Sequence, residues 1–357
     1  MTTQNANMPH RLDAEKLRRF ISGVLQAMEA PAADADFVGE LLVEADLRGV
    51  DSHGATRLPG YVGMIDNGHL NTTPDIKVLA EFGATTHIDG DLAFGMLVAR
   101  KGMRMAMDKA REHGIAISVT RNMTHTGLVG YYTMMAASEG LIGMAMNNGP
   151  TIVPPYGGTQ PLYATNPFSV SFPAAEGEPI VLDMATTMVA AGRLRIAEKQ
   201  GLKVPTTWGL DREGRPTNDP TEILQHGHLQ WAGGYKGFGI ATMIESLTGL
   251  LSGGIFGTDS PPLKHFGQDP LMQSGCYIAI DPSRFVGMPA YGERVDKLTG
   301  MIKAVSPFPG GEKVMVAGQQ EFERKREHLA SGIPTSAAVY GELEGLSRRF
   351  GVAFDVE

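Results

Sequence analysis

The chain has a single cysteine, Cys276, in 357 residues. One thiol can form no internal disulfide, which fits a reducing cytosol. It lies in the apolar run Gly275 to Ile280 and reads as a buried strand residue rather than a nucleophile. Basic charge is also in short supply. Lys plus Arg number 31 against 39 Asp plus Glu, a net charge of -8, with no basic run or stripe. That argues against a nucleic-acid footprint and against attraction to anionic membranes. Long hydrophobic runs are missing too. The most membrane-like stretch, 237–257, holds Glu245 and several glycines, so a buried helix is the better reading. The first eight residues lack the apolar core of a signal peptide. A cytoplasmic location is therefore expected. No Gly-x-Gly-x-x-Gly follows an early strand, and there is no Walker pattern. A dinucleotide, if one binds, must be held in another way. No fixed-period repeat or low-complexity segment is present.

What remains is ordinary for a soluble globular protein: 42% apolar and 20% charged residues. The length suits two or three domains of roughly 150 residues each. Residues 1–10 read as a loose arm. Asp13 can cap a helix to about Met28, with Leu17, Phe20, Ile21, Val24 and Leu25 on one face. Pro31 starts a second helix, to about Leu47. A third carries Tyr61, Met64 and Ile65 and stops at Asn67-Gly68. From Asn71 the pattern turns α/β with short connections. Strands are expected at 76–79, 86–88, 115–119, 141–146, 168–172, 180–183, 276–280 and 314–316. Helices are expected at 98–112, 127–137, 186–200, 236–251 and 290–304, then two more to the end. The loop 147–167 is long and turn-rich, which usually marks function. Residues 201–234 read as irregular and polar.

The stretch Asp51 to Tyr61 carries the most chemistry. If it is helical from about Gly54, then His53, Arg57 and Tyr61 step by four along one face. An imidazole exchanges a proton near neutral pH, and a guanidinium grips a carboxylate with two parallel hydrogen bonds. The plainer reading is a helix start with a surface His and Arg. His125 follows a strand and precedes a helix, where α/β sheets gather ligands; alone it is also an ordinary loop histidine. Asp183 ends a strand, where it could cap a helix, orient a histidine or bind a ribose hydroxyl. The turn Gly233 to Gly239 holds Tyr235-Lys236 at a helix start and could bind an anion, or be a flexible turn. His226-Gly227-His228 has the look of a metal pair but lacks acidic or Cys partners.

In this order, the pieces resemble the type 2 malate/L-lactate dehydrogenase family over about residues 12–345. The marks are Ser52-His53-Gly54 with Arg57, Asn122 to His125 leading into Gly130-Tyr131-Tyr132, Pro155-Tyr156-Gly157-Gly158 and Thr165-Asn166-Pro167. Asp183-Met184-Ala185, Gly214 to Pro220 and Gly233 to Gly239 complete the set. The resemblance implies an α/β fold. A non-Rossmann NAD(P)-binding domain with a mixed, largely antiparallel sheet (76–318) would join a helical part built from 1–75 and 319–357. It implies a homodimer and an NAD(P)-dependent oxidoreductase. Hydride would pass between nicotinamide and the alpha carbon of a small 2-hydroxy or 2-oxo acid. By position, His53 matches the catalytic acid/base, His125 a second active-site histidine and Arg57 a carboxylate contact. Asp183 would orient His53 or the cofactor ring. Ser52, Tyr61 and Gly149 are expected beside the substrate. Thr165, Asn166, Leu182, Asp183, Met184, Ala185, Thr186, Thr187, Met188, Tyr235, Lys236, Gly318, Gln319 and Gln320 are expected at the cofactor. The close alternative is a cyclic imine reductase of the same architecture. A distant one is a metal hydrolase using Asp51, His53 and His125, and a third is a pure binding protein.

Overall fold

The structure is a computed structural model that describes residues 9–199, 201–260 and 267–357. The N-terminal part holds β1 (His10–Leu12), α1 (Ala14–Gln26), α2 (Ala32–Leu47) and α3 (Leu58–Asp66). Asp13 caps α1 by accepting the Lys16 amide at 2.8 Å. The spaced apolar face of α1 is buried against α2, and the two share one core with α3. Burial around much of α2 follows from its position between neighbours rather than on a surface. Pro59 in the first turn of α3 sets a helical φ where no amide is needed.

The middle of the chain supplies β2 (Lys77–Phe82), β3 (Thr85–Asp89), α4 (Gly95–His113), β4 (Ile115–Met123), α5 (Val129–Ser138), β5 (Ile142–Asn147), β6 (Phe168–Phe172) and β7 (Ile180–Met184). A lobe follows: α6 (Ala191–Lys199), β8 (Gly209–Leu210), β9 (Pro216–Thr217), α7 (Pro220–Gln225), β10 (His228–Leu229) and α8 (Tyr235–Glu245). The chain closes with β11 (Gln273–Ile280), α9 (Met288–Lys303), α10 (Gln319–Ser331), β12 (Ile333–Thr335) and α11 (Ala337–Phe350).

Seven strands form the main sheet in the order β2-β3-β4-β11-β5-β6-β7. Only β3 and β4 pair in parallel; the other five pairings are antiparallel. The sheet is thus mixed and largely antiparallel. Alternation along β11 divides the core. Tyr277 and Ala279 join the cluster shared with α4 and α5. Cys276 packs with Met146 and Ile244 of α8 on the other face. Burial pushes the Cys276 thiol up to about 12, so it stays protonated and inert. Glu245, at the end of α8, is buried between the Asn148 and Asn166 amides, which donate at 3.1 and 2.7 Å.

The two ends of the chain meet. β1 pairs antiparallel with β12, and the Asp13 amide donates to Val356 O at 2.7 Å. Phe20 lies edge-on to Phe354.

Several expectations need correction. Of the supposed arm, residues 1–8 lie outside the described residues, and His10 begins a strand. The helix expected from Thr186 starts at Ala191. Thr186 and Met188 are held instead by backbone bonds to Thr165 and Gln230; Gln200 lies outside the described residues. Residues 201–234 contain three short strands and α7, capped by Asp219. No strand forms at Val314–Val316, where a single bond joins the Val181 amide to Ala317 O. The two final helices are separated by β12, whose partner is far away in sequence.

Candidate active site

The stretch from Asp51 to Arg57 is not the α-helix its spacing suggests. Two 3-10 turns, Asp51–His53 and Ala55–Arg57, are separated by an extended Gly54. The cause is Asp46, buried near the end of α2. Its carboxylate accepts the Ala55 amide at 2.8 Å and lies so close that a Cβ on Gly54 would fall 1.8 Å from Oδ1. Burial holds the Asp46 carboxyl well above its usual range, against the Ala55 hydrogen bond. Ser52 then serves both neighbours. Its hydroxyl meets His53 Nδ1 at 2.9 Å, and its carbonyl accepts from Arg57 Nε.

His125 arrives from the other side, on the loop between β4 and α5. Thr124 ties that loop down, its hydroxyl donating to Ala93 O at 2.9 Å. Gly95 permits the close approach: a Cβ there would meet Thr124 O at 2.1 Å. The Gly127 amide donates to His125 Nδ1 at 3.3 Å, and the Tyr61 hydroxyl lies 2.8 Å from the same nitrogen. An amide can only donate, so Nδ1 is the unprotonated nitrogen and Nε2 carries the hydrogen. The His53 and His125 rings stack with centroids 5.5 Å apart. Burial, helped by Arg57, lowers His53 to about 3. Burial, Arg57 and His53 hold His125 well below its ordinary value. Arg57 itself is lowered to about 10 by burial, with Arg195 adding to the effect, and stays charged at neutral pH. The site thus holds a fixed cation and two neutral imidazoles.

Asp183 sits on β7 and accepts the Gly130 amide at 2.9 Å. It caps the first turn of α5, not the helix after its own strand. Its side chain opens onto the larger cavity. Desolvation by the cavity walls, with Glu321 nearby, pushes its carboxyl up to about 6, against the Gly130 bond and Arg48. The unfolded value is about 3.9, so ionisation between the two pH values costs the folded state. Asp183→Asn keeps the acceptor and carries no charge. Its Tm should exceed the wild-type value at neutral pH, the gap closing as the pH falls below about 6. A gap independent of pH would contradict the shift.

Two adjoining cavities share His53, Gly127, Val129, Thr165, Pro167 and Ala190. The larger, ≈ 440 Å³, is lined by Ser52, Leu182 to Ala185, the start of α5 and Gly318. The smaller, ≈ 120 Å³, is lined by Arg57, His125, Asn148, Arg195 and Gln273. So the structure brings together His53, Arg57, His125, Ser52, Asp183, Thr165, Leu182, Met184, Ala185 and Gly318. Other expected residues lie off the walls. Tyr61 is buried behind His125, because its hydroxyl is turned to that ring. Gly149 stands behind Gln273, whose Nε2 a Cβ would approach at 3.0 Å. Asn166 is drawn under the loop by Glu245 and Ala241 O. Thr186 and Thr187 bond backbone carbonyls, and Met188 is exposed outside. Tyr235 and Lys236 are exposed at the start of α8, where Tyr235 meets Tyr156. Gln319 turns to the Val316 amide and Glu323, and Gln320 follows it on α10. Sequence reasoning missed Asp46, Asn148, Arg195 and Gln273. Only Gly54 hinted at Asp46. Among the described residues, no three His, Cys, Asp or Glu side chains gather closely enough to hold a metal ion.

Two neutral imidazoles and a cation thus line one cavity, beside a second cavity floored by the N-terminus of α5. The chain belongs to the malate/L-lactate dehydrogenase family, whose model matches residues 12–344. It is 35% identical over 349 residues to a malate dehydrogenase of Pyrococcus abyssi, covering 96% of this chain and 95% of that one. Its fold matches the sulfolactate dehydrogenase structure from Methanocaldococcus jannaschii with TM-score 0.89 at 32% identity, covering 96% of this chain and 98% of that one. A delta1-piperideine-2-carboxylate reductase from Pseudomonas syringae matches with TM-score 0.84 at 29% identity, covering 94% and 99%. The chain is an oxidoreductase of small hydroxy acids that uses NAD or NADP.

Proposed function

We propose that the enzyme reversibly oxidises a small 2-hydroxy acid at its alpha carbon, with Arg57 as carboxylate anchor and His53 as acid/base. The observation that carries this reading is the position of His53, on the shared wall of both cavities and one 3-10 turn from Arg57. Bound at Arg57, a carboxylate offsets the positive charge that helps depress His53. The imidazole pKa then rises toward the range in which a general base works. In oxidation His53 takes the hydroxyl proton; in reduction it returns one. His125, with its hydrogen on Nε2, donates to the same substrate oxygen and fixes its direction.

The larger cavity fits a dinucleotide. The start of α5 lies at its floor, with the Gly130 amide capped by Asp183 and the Gly127 amide turned to His125. Gly318, in a left-handed conformation, passes so close to Val181 that a Cβ would meet its backbone at 3.0 Å. Leu182 and Met184 offer exposed apolar surface for a ring, and Arg193 and Arg324 offer charge for phosphates, while Arg48 on the same wall is paired with Glu44 at 2.7 Å. Bound there, the nicotinamide supplies or accepts the hydride. This is a non-Rossmann arrangement on residues 76–318. The helices of 1–75 and 319–357 form the second part, joined through β1 and β12. A homodimer is supported by exposed Ile240, Met243, Leu250 and Leu251, spaced along one helical path. A cytoplasmic setting is supported by the lone buried thiol. Among the described residues no helix is long and apolar enough to cross a membrane.

The likeness to the piperideine-carboxylate reductase favours one second reading, reduction of a cyclic C=N bond beside a carboxylate. A panel of 2-oxo acids and cyclic imines, each with NADH and NADPH, separates the two by nicotinamide absorbance. Turnover of imines alone would sink the hydroxy-acid reading. Arg57→Leu should raise KM for the acid and lower kcat/KM by roughly 10- to 150-fold, the range for a hydrogen bond between charged groups. An unchanged KM would remove Arg57 as the anchor.

A further inference from the structure

We infer that Arg195 is a specificity residue that binds a second oxyanion on the substrate, so that the preferred acid is a dianion. This rests on the hydroxy-acid reading above and deepens it. The starting point is how α6 meets the 3-10 turns. A Cβ on Gly192 would come 2.8 Å from Ser52 Cβ and 3.6 Å from Arg57 Nη2. The first turn of α6 therefore rests directly on the residues that hold His53 and Arg57. Arg195 lies three residues on, on the same side of the helix. Leu194 and Ala197, on the other side, bury into the core with Val153 and Trp231. That packing fixes the helix rotation and leaves Arg195 on the wall of the smaller cavity.

Charge balance then points to the ligand. Among the described residues, the wall holds His53, Arg57, His125, Asn148, Arg195 and Gln273, with threonine, glycine and apolar neighbours and no carboxylate. Both imidazoles are neutral, so these residues carry two positive charges and no negative one. The guanidiniums feel one another, since Arg195 helps lower Arg57. Arg195 is itself lowered by burial, opposed by Glu198 on its own helix. Among the described residues no hydrogen bond or ion pair engages the Arg195 guanidinium. A 2-hydroxy monocarboxylate would neutralise Arg57 and leave Arg195 desolvated and uncompensated, which is costly. An acid with a carboxylate at one end and a carboxylate or sulfonate at the other satisfies both. Its reacting carbon then lies between two anchors, beside His53 and His125.

The test compares kcat/KM for oxaloacetate, its 4-amide 2-oxosuccinamate, and 3-sulfopyruvate, with both reduced cofactors. Calorimetric binding of malate against 2-hydroxybutanoate runs in parallel. Wild type should prefer oxaloacetate or sulfopyruvate over the amide by roughly 10- to 100-fold, as a charged hydrogen bond implies. Whether carboxylate or sulfonate wins identifies the oxyanion. Arg195→Met should erase most of that preference while the amide reacts within a few-fold of wild type, and Arg195→Lys should recover part of it. The binding difference should collapse in parallel. Equal turnover of amide and diacid by wild type would overturn the inference and leave the hydroxy-acid reading standing. So would a preference that survives in Arg195→Met. No turnover of any oxo acid would remove that reading and the inference together.

Discussion

Replacing His53 with alanine is expected to lower kcat by roughly 10²- to 10⁴-fold, the usual contribution of a positioned acid/base. Affinity for the nicotinamide cofactor should stay within a few-fold. The argument is positional. His53 lines both cavities, so in the proposed reaction it is the imidazole that would meet the substrate hydroxyl where that carbon faces the hydride carrier. Its Nδ1 is occupied by Ser52, which leaves Nε2 for the proton. His125 cannot substitute, because its Nδ1 accepts the Gly127 amide and its Nε2 hydrogen is a donor. Alanine at 53 leaves Asp46, Ser52 and Arg57 in their places, so the loss should fall on kcat rather than on folding. Steady-state rates and calorimetric cofactor binding would check it. A kcat within a few-fold of wild type would assign the proton to another group.

Gly54→Ala is expected to destabilise the protein by about 3 kcal/mol, at the upper end for overpacking, and to remove activity with it. The added methyl would stand 1.8 Å from Asp46 Oδ1 and 2.2 Å from its Cγ. The carboxylate cannot move aside cheaply. It is buried, short, and bound to the Ala55 amide. The turn must therefore shift, taking Ser52, His53 and Arg57 with it. A double variant makes the cause testable. Asp46→Ala leaves the Ala55 amide without its partner and is costly alone. Combined with Gly54→Ala it also opens the space the methyl needs. Denaturant midpoints should show the pair less damaging than the sum of the singles, by about 1–3 kcal/mol. Strict additivity would rule out the clash.

The contrast between this turn and the helices around it shows what local sequence can reveal. α1 was legible because Asp13 caps it and Leu17, Phe20, Ile21, Val24 and Leu25 repeat at helical spacing. The strands of the main sheet were legible for the matching reason of period and apolar content. The four-residue spacing of His53, Arg57 and Tyr61 drew the eye to residues that the structure does place together, but its helical geometry was misread. The carboxylate that bends the turn belongs to the preceding helix. Tyr61 shows the same gap, since spacing cannot tell a side chain that faces a ligand from one that stands behind a histidine. Tyr235 and Lys236 had every local sign of an anion site, yet packing of the lobe leaves them outside both cavity walls. Arg195 carried no signal at all. Its place on the cavity wall exists only because α6 lands, through Gly192, on Ser52 and Arg57. The pairing of β1 with β12 was equally hidden, because three-residue strands at opposite ends of a chain announce nothing locally.

That pairing also bears on how the enzyme comes into being. The helices that position His53 leave the ribosome first, but β12, α11 and Phe354, against which they pack, leave last. Contacts between such distant segments form late and slow folding. A nascent chain therefore carries His53 for nearly the whole of synthesis on helices whose core is still open. The redox site is set only when the C-terminal segment arrives, so a chain cut short there would be expected to leave the ribosome catalytically silent.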